Sequence, residues 1–506
     1  MQWIIRLPFF VVLMGLGAIA MLLPATHAAI VQDFTTMRVF FYGFILFSVL
    51  TVLIALTMSN YAPSNVARSQ LIGLLAAFSV LPLMFALPFY EAVRNTSFFD
   101  AWFEMVSSFT TTGATTYERI SALTPSQHLW RSTVGWLGGL LVWITAVSIF
   151  APMNLGGFEV RATAAVGKGT TGTLTQIGAV SDPSERLVRY TLALTPVYMG
   201  LTLMLWIGLM MLGERPYVAL AHAMAVLSTS GITPIGGLNF AASGFLGEVL
   251  IFAFFAFALS RLTFSRGITG ERNQVLWRDP EFITAIVLIV LVTLLLFARH
   301  YTGTPDSSGW TSLRNVFTSF WGALFTVTSF LTTTGFESRA WDGATDWSRL
   351  STPGLFLIGL ALIGGGVATT AGGVKLLRIY ALFRHLEREQ ERLLSPSSVG
   401  GGGRDARRIR KQGAYISWVF FMLFALSIAG VMVLLSLTGV AFETGMVLAV
   451  AALSTTGPLA VVAAETPILY SELPDAAKMI LAGAMVLGRL ETLAIIALFN
   501  PEIWQR

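Results

Sequence analysis

The 506-residue sequence contains no cysteine, which excludes disulfides, thiolate metal sites and cysteine nucleophiles. Charge is scarce as well: 12% of the residues are Asp, Glu, Lys or Arg, against about 25% in soluble domains. There is no His-Glu-x-x-His string and no plausible pair of intramembrane carboxylates, so a polytopic membrane enzyme would lack its reactive cluster. No nucleotide-binding loop or soluble domain is visible. What is abundant is apolar surface, at 55% hydrophobic residues and a mean hydropathy of +0.72. Lipid, not water, is the solvent for such a chain.

A transmembrane helix needs about 20 mostly apolar residues. Ten runs qualify, at 8–30, 38–58, 69–91, 131–152, 189–212, 244–264, 281–299, 353–381, 415–438 and 478–499. The first resembles a signal peptide, with Arg6 ahead of it and Thr26-His27-Ala28 as a cleavage-like string. Its length exceeds the usual h-region of about 7–15 residues, which favours a retained helix. With both termini cytoplasmic, the inner loops hold 17 Lys and Arg and the outer loops 6. The positive-inside rule supports that orientation. The outer loops carry 13 Asp and Glu, so the outer mouth is expected to be net negative.

Most inner charge lies in 382–414. A charged helical stretch from Arg384 to Arg392 passes into Ser395-Pro396-Ser397-Ser398-Val399 and four glycines, then into Arg404, Arg407, Arg408, Arg410 and Lys411. Two readings are open: an anchor on anionic lipid or a docking site for a cytosolic partner.

The chain repeats itself. Thr111-Thr112-Gly113, Thr229-Ser230-Gly231, Thr333-Thr334-Gly335 and Thr455-Thr456-Gly457 share the pattern apolar, Ser/Thr, Thr, Ser/Thr, Gly, apolar. Their glycines lie 118, 104 and 122 residues apart. Before each stands a short apolar stretch (Phe98–Ser108, Tyr217–Val226, Val316–Phe330, Phe442–Ala452) too short to span a bilayer, so these stretches are expected to re-enter. The expected architecture is an all-α polytopic membrane protein with two leading helices (1–66) and four helix–pore-loop–helix repeats in pseudo-fourfold array around a central pore. The repeats occupy 67–155, 185–266, 279–385 and 413–500, with a basic cytoplasmic linker at 386–412.

Irregular backbone at membrane depth is tolerated only where it is buried or lines a water-filled path. A Thr/Gly loop ending a half-helix offers consecutive carbonyl oxygens, and glycine permits the backbone angles that align them. Four such loops about one axis would replace the hydration shell of an alkali cation, aided by the partial negative charge of each helix C-terminus. The expected ion ligands are therefore the backbone of Thr111, Thr112, Gly113, Thr229, Ser230, Gly231, Thr333, Thr334, Gly335, Thr455, Thr456 and Gly457. A duplicated fold with shared turn chemistry and no ion is the alternative. The residues after the glycines (Ala114, Ile232, Phe336, Pro458) differ, so the site should be only pseudo-fourfold.

Further strings carry a family resemblance: Phe99-Asp100-Ala101-Trp102-Phe103-Glu104, Trp130-Arg131, Gly135-Trp136-Leu137-Gly138-Gly139, Gly372-Gly373-Val374-Lys375 with Arg378, and Gly488-Arg489-Leu490-Glu491. Over almost its whole length the chain resembles the Trk/Ktr/HKT superfamily of potassium transporters, most of all its bacterial TrkH-type subunit. The resemblance implies potassium as the bound and transported ion, with no organic cofactor. Glycine at all four loops implies preference for potassium over sodium. It further implies uptake across the bacterial inner membrane, a homodimer with one pore per subunit, and a cytosolic nucleotide-binding subunit of RCK type.

The span at 353–381 is interrupted by Gly364, Gly365, Gly366, Thr369, Thr370, Gly372 and Gly373, and each glycine costs about 1 kcal/mol in a helix interior. A break is expected there, with tight small-residue packing as the alternative. The resemblance implies an intramembrane gating loop at this place. Arg489 is a charge within the tenth span, a functional candidate by position. The resemblance implies that it sets a barrier below the filter, and an ion pair with another repeat is the structural alternative. Glu491 is two residues from Arg489 and so unsuited to pair with it on one helix face. Lys375 and Arg378 are expected to snorkel, His222 to be a satisfied buried histidine, and Glu104 to brace the first loop. A gated conduit and a proton- or sodium-coupled symporter would share this pore.

Overall fold

The computed structural model describes residues 7–58, 66–153, 155–160, 183–260, 276–303, 313–348, 353–394, 411–464 and 466–491. Helices are the only regular elements among them, and seven are long and apolar enough to cross a membrane. Residues 395–410, which include four of the linker's arginines, lie outside the described residues.

The leading pair comprises α1 (Phe9–Ala20) running into α2 (Leu22–Ile30), then α3 (Phe34–Thr57), whose N-terminus is capped by Asp33 accepting from the Thr36 amide at 3.1 Å. Much of α3 stays exposed, with Tyr42, Val49 and Leu56 all more than half accessible. Such an apolar exterior is what a lipid-facing helix requires. The α1–α2 segment joins the bundle through buried Ala18, Met21 and Ala28, and His27 Nδ1 lies 2.8 Å from Ser126 Oγ.

Repeat 1 contains α4 (Val66–Val93), the half-helix α5 (Phe98–Phe109) and α6 (Pro125–Thr145), which continues through a π turn at Ala146–Phe150. Ser97 caps α5 by accepting from the Asp100 amide at 2.9 Å, and α6 opens with Pro125 inside a Thr124/Gln127 capping box. Repeat 2 contains α7 (Pro183–Met211), half-helix α8 (Pro216–Ser228) and α9 (Gly244–Leu259). Repeat 3 contains α10 (Pro280–Gly303), half-helix α11 (Leu313–Leu331), α12 (Trp341–Ser348), α13 (Gly354–Ile363) and α14 (Leu376–Leu394). Repeat 4 contains α15 (Lys411–Leu437), half-helix α16 (Phe442–Leu453), the turn-length α17 (Leu459–Val462) and α18 (Asp475–Leu490).

Two sequence expectations need adjusting. The third half-helix has 19 residues, longer than the one to three turns expected, because Leu313, Arg314 and Asn315 precede the apolar stretch in the helix and Leu331 follows it. The last span begins earlier than expected: α18 starts at Asp475 and its described part ends at Leu490 with Arg489 in the final turn, while residues 492–499 of the expected span lie outside the described residues. The break at 364–375 is present between α13 and α14, as the glycine run required.

Candidate functional site

All four half-helices end in the same turn. The middle threonine of each loop is left-handed, with φ of 56° at Thr111, 53° at Thr229, 56° at Thr333 and 54° at Thr455. The following amide then reaches back five residues: Thr112 to Ser107 at 2.8 Å, Ser230 to Ala225 at 2.9 Å, Thr334 to Ser329 at 2.9 Å and Thr456 to Ala451 at 2.8 Å. This is the long bond of a Schellman closure.

A β-branched residue is strained in that region by about 1–3 kcal/mol. The flanking hydroxyls hold it in place: Thr110 to Thr112 at 2.9 Å, Ser228 to Ser230 at 3.0 Å, Thr332 to Thr334 at 3.0 Å and Ser454 to Thr456 at 3.2 Å. The repeated Ser/Thr-Thr-Ser/Thr string is thus a hydroxyl clamp around one left-handed residue. Sequence reasoning had assigned the unusual backbone to glycine alone.

The loops converge. A Cβ on Gly113 would lie 1.9 Å from Ser230 O, one on Gly231 2.3 Å from Thr334 O, one on Gly335 2.9 Å from Pro458, and one on Gly457 2.3 Å from the Ala114 amide nitrogen. Loop 1 therefore abuts loop 2, loop 2 abuts loop 3, loop 3 abuts loop 4, and loop 4 returns to loop 1. The seam between the last pair carries a backbone bond, Gly457 N–H to Thr112 O at 2.6 Å. Among the described residues, no hydrogen bond reaches the carbonyls of Thr111, Thr229, Thr333 or Thr455.

The fourth loop departs from the others. Gly113, Gly231 and Gly335 have φ of 75°, 63° and 79°, whereas Gly457 has no positive φ. Pro458 follows it and opens α17 at once, whereas the other three loops go on without a helix directly after their glycines.

Three loops are braced from one position, nine residues before the glycine. Glu104 accepts from the Thr116 amide at 3.1 Å and pairs with Arg131 at 2.5 Å. His222 Nε2 lies 3.0 Å from Thr233 Oγ1, and Thr326 Oγ1 accepts from the Ser338 amide at 3.2 Å. The residue at that position in repeat 4 is Leu448. Glu104 thus braces its loop and His222 is a satisfied buried histidine, as expected. Thr326 went unnoticed, although counting back from each glycine would have found it. Glu248 was missed too; it accepts from Trp321 Nε1 at 2.9 Å, Ser338 Oγ at 2.9 Å and the Arg339 amide at 2.7 Å.

Below the ring lies the interruption between α13 and α14, buried throughout from Gly364 to Gly373. Leu362 O and Ile363 O accept from Val374 N at 2.9 Å and Lys375 N at 2.8 Å, twelve residues on instead of four. The helix is resumed after an eight-residue excursion. That excursion touches three loops: Thr370 Oγ1 donates to Leu227 O at 2.9 Å, Gly372 N–H to Thr333 Oγ1 at 2.8 Å, and a Cβ on Gly372 would lie 2.2 Å from Ser454 O. Tight glycine packing and a helix break, posed as alternatives in the sequence, coexist here. Thr369 Oγ1 bonds within the excursion, to Gly366 O at 2.7 Å.

A cavity of about 20 Å³, room for about one water, is lined by Thr369, Gly372, Gly373, Lys375 and Arg489, with Val142, Ala146 and Phe150 of α6 opposite. Arg489 is 5% exposed, and its Nε and Nη2 have no hydrogen-bond partner among the described residues. The structure brings Arg489 and the glycine run together, although 116 residues separate Gly373 from it.

Lys375 and Arg378 do not snorkel: they are 7% and 0% exposed. Lys375 donates to Ala371 O, while Arg378 pairs with Glu491 at 2.8 Å and lies 3.6 Å over the Phe420 ring. The last helix and the broken segment are thus riveted by Glu491, which leaves Arg489 unpaired within its own strand of chain.

A family model described as TrkH, cation transport protein, matches residues 250–506. The Trk system potassium uptake protein TrkH of Halomonas elongata is 30% identical over 473 residues, covering 88% of this chain and 89% of its own. The protein of the same name from Escherichia coli K12 is 29% identical over 437 residues, covering 85% and 84%. The crystal structure of the potassium transporter TrkH from Vibrio parahaemolyticus superposes with a TM-score of 0.80 at 23% identity, covering all of both chains.

Proposed function

The chain belongs to the TrkH family of cation transport proteins, and from that premise we propose that it takes up potassium across the bacterial inner membrane through its ring of four Thr/Gly loops. The relatives are named as transporters, a function of passage rather than catalysis. The observation that carries the reading is the closed ring: four left-handed threonines of matching φ present unbonded carbonyls where each loop abuts the next. A dehydrated potassium ion is matched by such an oxygen cage, whose ligand number and field strength discriminate against sodium.

Beneath it, Gly364–Gly373 obstructs the path, and the unpaired Arg489 guanidinium adds a repulsive charge to the cavity an ion would cross. Potassium is cargo, and no organic cofactor is involved. Both termini face the cytoplasm, as the 17 to 6 excess of basic residues in the inner loops supports. The proposed assembly is a homodimer with a cytosolic RCK-type nucleotide-binding subunit. In support, the relatives are named as parts of a Trk system.

The test is rescue of a potassium-uptake-deficient cell, repeated with Gly113→Ser. The side chain would enter the space of Ser230 O, so preference for potassium over sodium should fall by about tenfold, roughly 1.4 kcal/mol. An unaltered preference in folded variant protein would overturn the filter assignment.

A further inference from the structure

The fourth loop is neither braced nor shaped like the rest, and its glycine carbonyl is engaged twice. Gly457 O accepts from the Ala460 amide at 3.1 Å and from the Tyr470 hydroxyl at 3.1 Å. A carbonyl oxygen has two lone pairs, so neither is left for an ion. Thr456 O likewise accepts from the Leu459 amide at 3.1 Å. By contrast, no hydrogen bond from the described residues reaches the carbonyls of Gly113, Gly231 or Gly335.

Tyr470 comes from a 3₁₀ turn thirteen residues beyond the glycine, at the far end of the excursion that Pro458 begins. It is 4% exposed, and its ring lies 6.0 Å from that of Phe103 on the first half-helix. The side chain therefore stands at the seam where loop 4 meets loop 1. Repeat 4 carries Leu448 where Glu104, His222 and Thr326 fasten the other three loops, and the bond to its loop comes from Tyr470 instead.

Resting on the reading of the loops as a filter, we propose that Tyr470 is a positioning residue that holds the Gly457 carbonyl out of the ring. The filter then has a complete four-oxygen cage at the level of Thr111, Thr229, Thr333 and Thr455, and a three-sided one at the glycine level. An ion is fully dehydrated at the threonine level, whereas at the glycine level the fourth side carries the Pro458 ring, within 4 Å of a Cβ on Gly113, Gly231 and Gly335 alike, in place of a carbonyl.

Rubidium anomalous scattering on crystals of the full chain tests the geometry directly. The strongest peak should be coordinated by the four threonine carbonyls, and an ion in contact with Gly457 O overturns the proposal. Tyr470→Phe keeps the ring against Phe103 and deletes only the donor. Reconstituted in liposomes, it should change the potassium-over-sodium flux ratio by about fivefold, as loss of one neutral hydrogen bond allows, because the freed carbonyl adds a fourth oxygen at the glycine level. A lowered melting temperature with an unchanged ratio would mean a purely structural tyrosine and would sink the idea. If Gly113→Ser alters the ratio and Tyr470→Phe does not, the filter stands and this inference falls. If neither does, both fall.

Discussion

The inner span of repeat 1 and the inner span of repeat 3 face the same small cavity from opposite sides, yet one is whole and the other is interrupted. In α6 the glycines are dispersed along the helix at Gly135, Gly138 and Gly139, and each admits a close neighbour: a Cβ on Gly138 would lie 1.9 Å from Phe109 O. The helix keeps its hydrogen bonds, adding one residue through the π turn closed by Ala151 N–H to Ala146 O at 2.9 Å. Between α13 and α14 the glycines are consecutive, and Gly364 and Gly373 take φ of 73° and 77°. Glycines in helical backbone let α6 lie against the ends of the first two half-helices; those with positive φ open the third repeat's helix into a loop that reaches the ends of the second, third and fourth. Backbone angle, not the mere presence of glycine, decides between wall and obstruction.

The comparison breaks most visibly if the excursion is removed. Deleting residues 366–373 puts Val374 four residues after Leu362, restoring an ordinary helical register and making repeat 3 resemble repeat 1. Potassium leak into liposomes should rise on the order of 100-fold, roughly 2.7 kcal/mol off the barrier. Unchanged leak would remove the gate assignment. Arg489→Ala is the next step down: eliminating one charge beside the small cavity should speed cation passage about fivefold, for an interaction of about 1 kcal/mol. Slower passage in folded protein would count against a barrier role.

The smallest effect sharpens the distinction between glycines. Gly138→Ala should cost about 1–3 kcal/mol of stability through overpacking. Gly359→Ala, in α13 where nothing lies within 4 Å of the added carbon, should be neutral or stabilising by up to about 1 kcal/mol. Thermal unfolding in detergent measures both, and equal losses would refute the reading of α6.

Much of this was legible in the sequence because the signals are local. Apolar runs and the Ser/Thr-Thr-Ser/Thr-Gly strings each act within a few residues, and so does the glycine cluster of the third repeat. The left-handed threonines were not legible, since threonine alone rarely adopts that backbone and only the clamp of its neighbours sustains it. Arg378 looked like a snorkelling cation because its partner Glu491 is 113 residues away. Tyr470 was invisible for another reason: it replaces a function that repeats 1 to 3 place on the half-helix, so aligning the repeats shows only that Leu448 is missing a polar atom. The same alignment does contain the braces, and setting the chain in register nine residues ahead of each glycine exposes them.

The one-way order in which the loops lean on each other has a mechanical consequence. Like stones in a circular arch, each holds its neighbour from collapsing inward, and Pro458 of the fourth loop bears on all three of the others. Enlarging any single stone must displace the next and, through it, the whole circuit, so damage at one glycine spreads to apertures that the altered residue never touches.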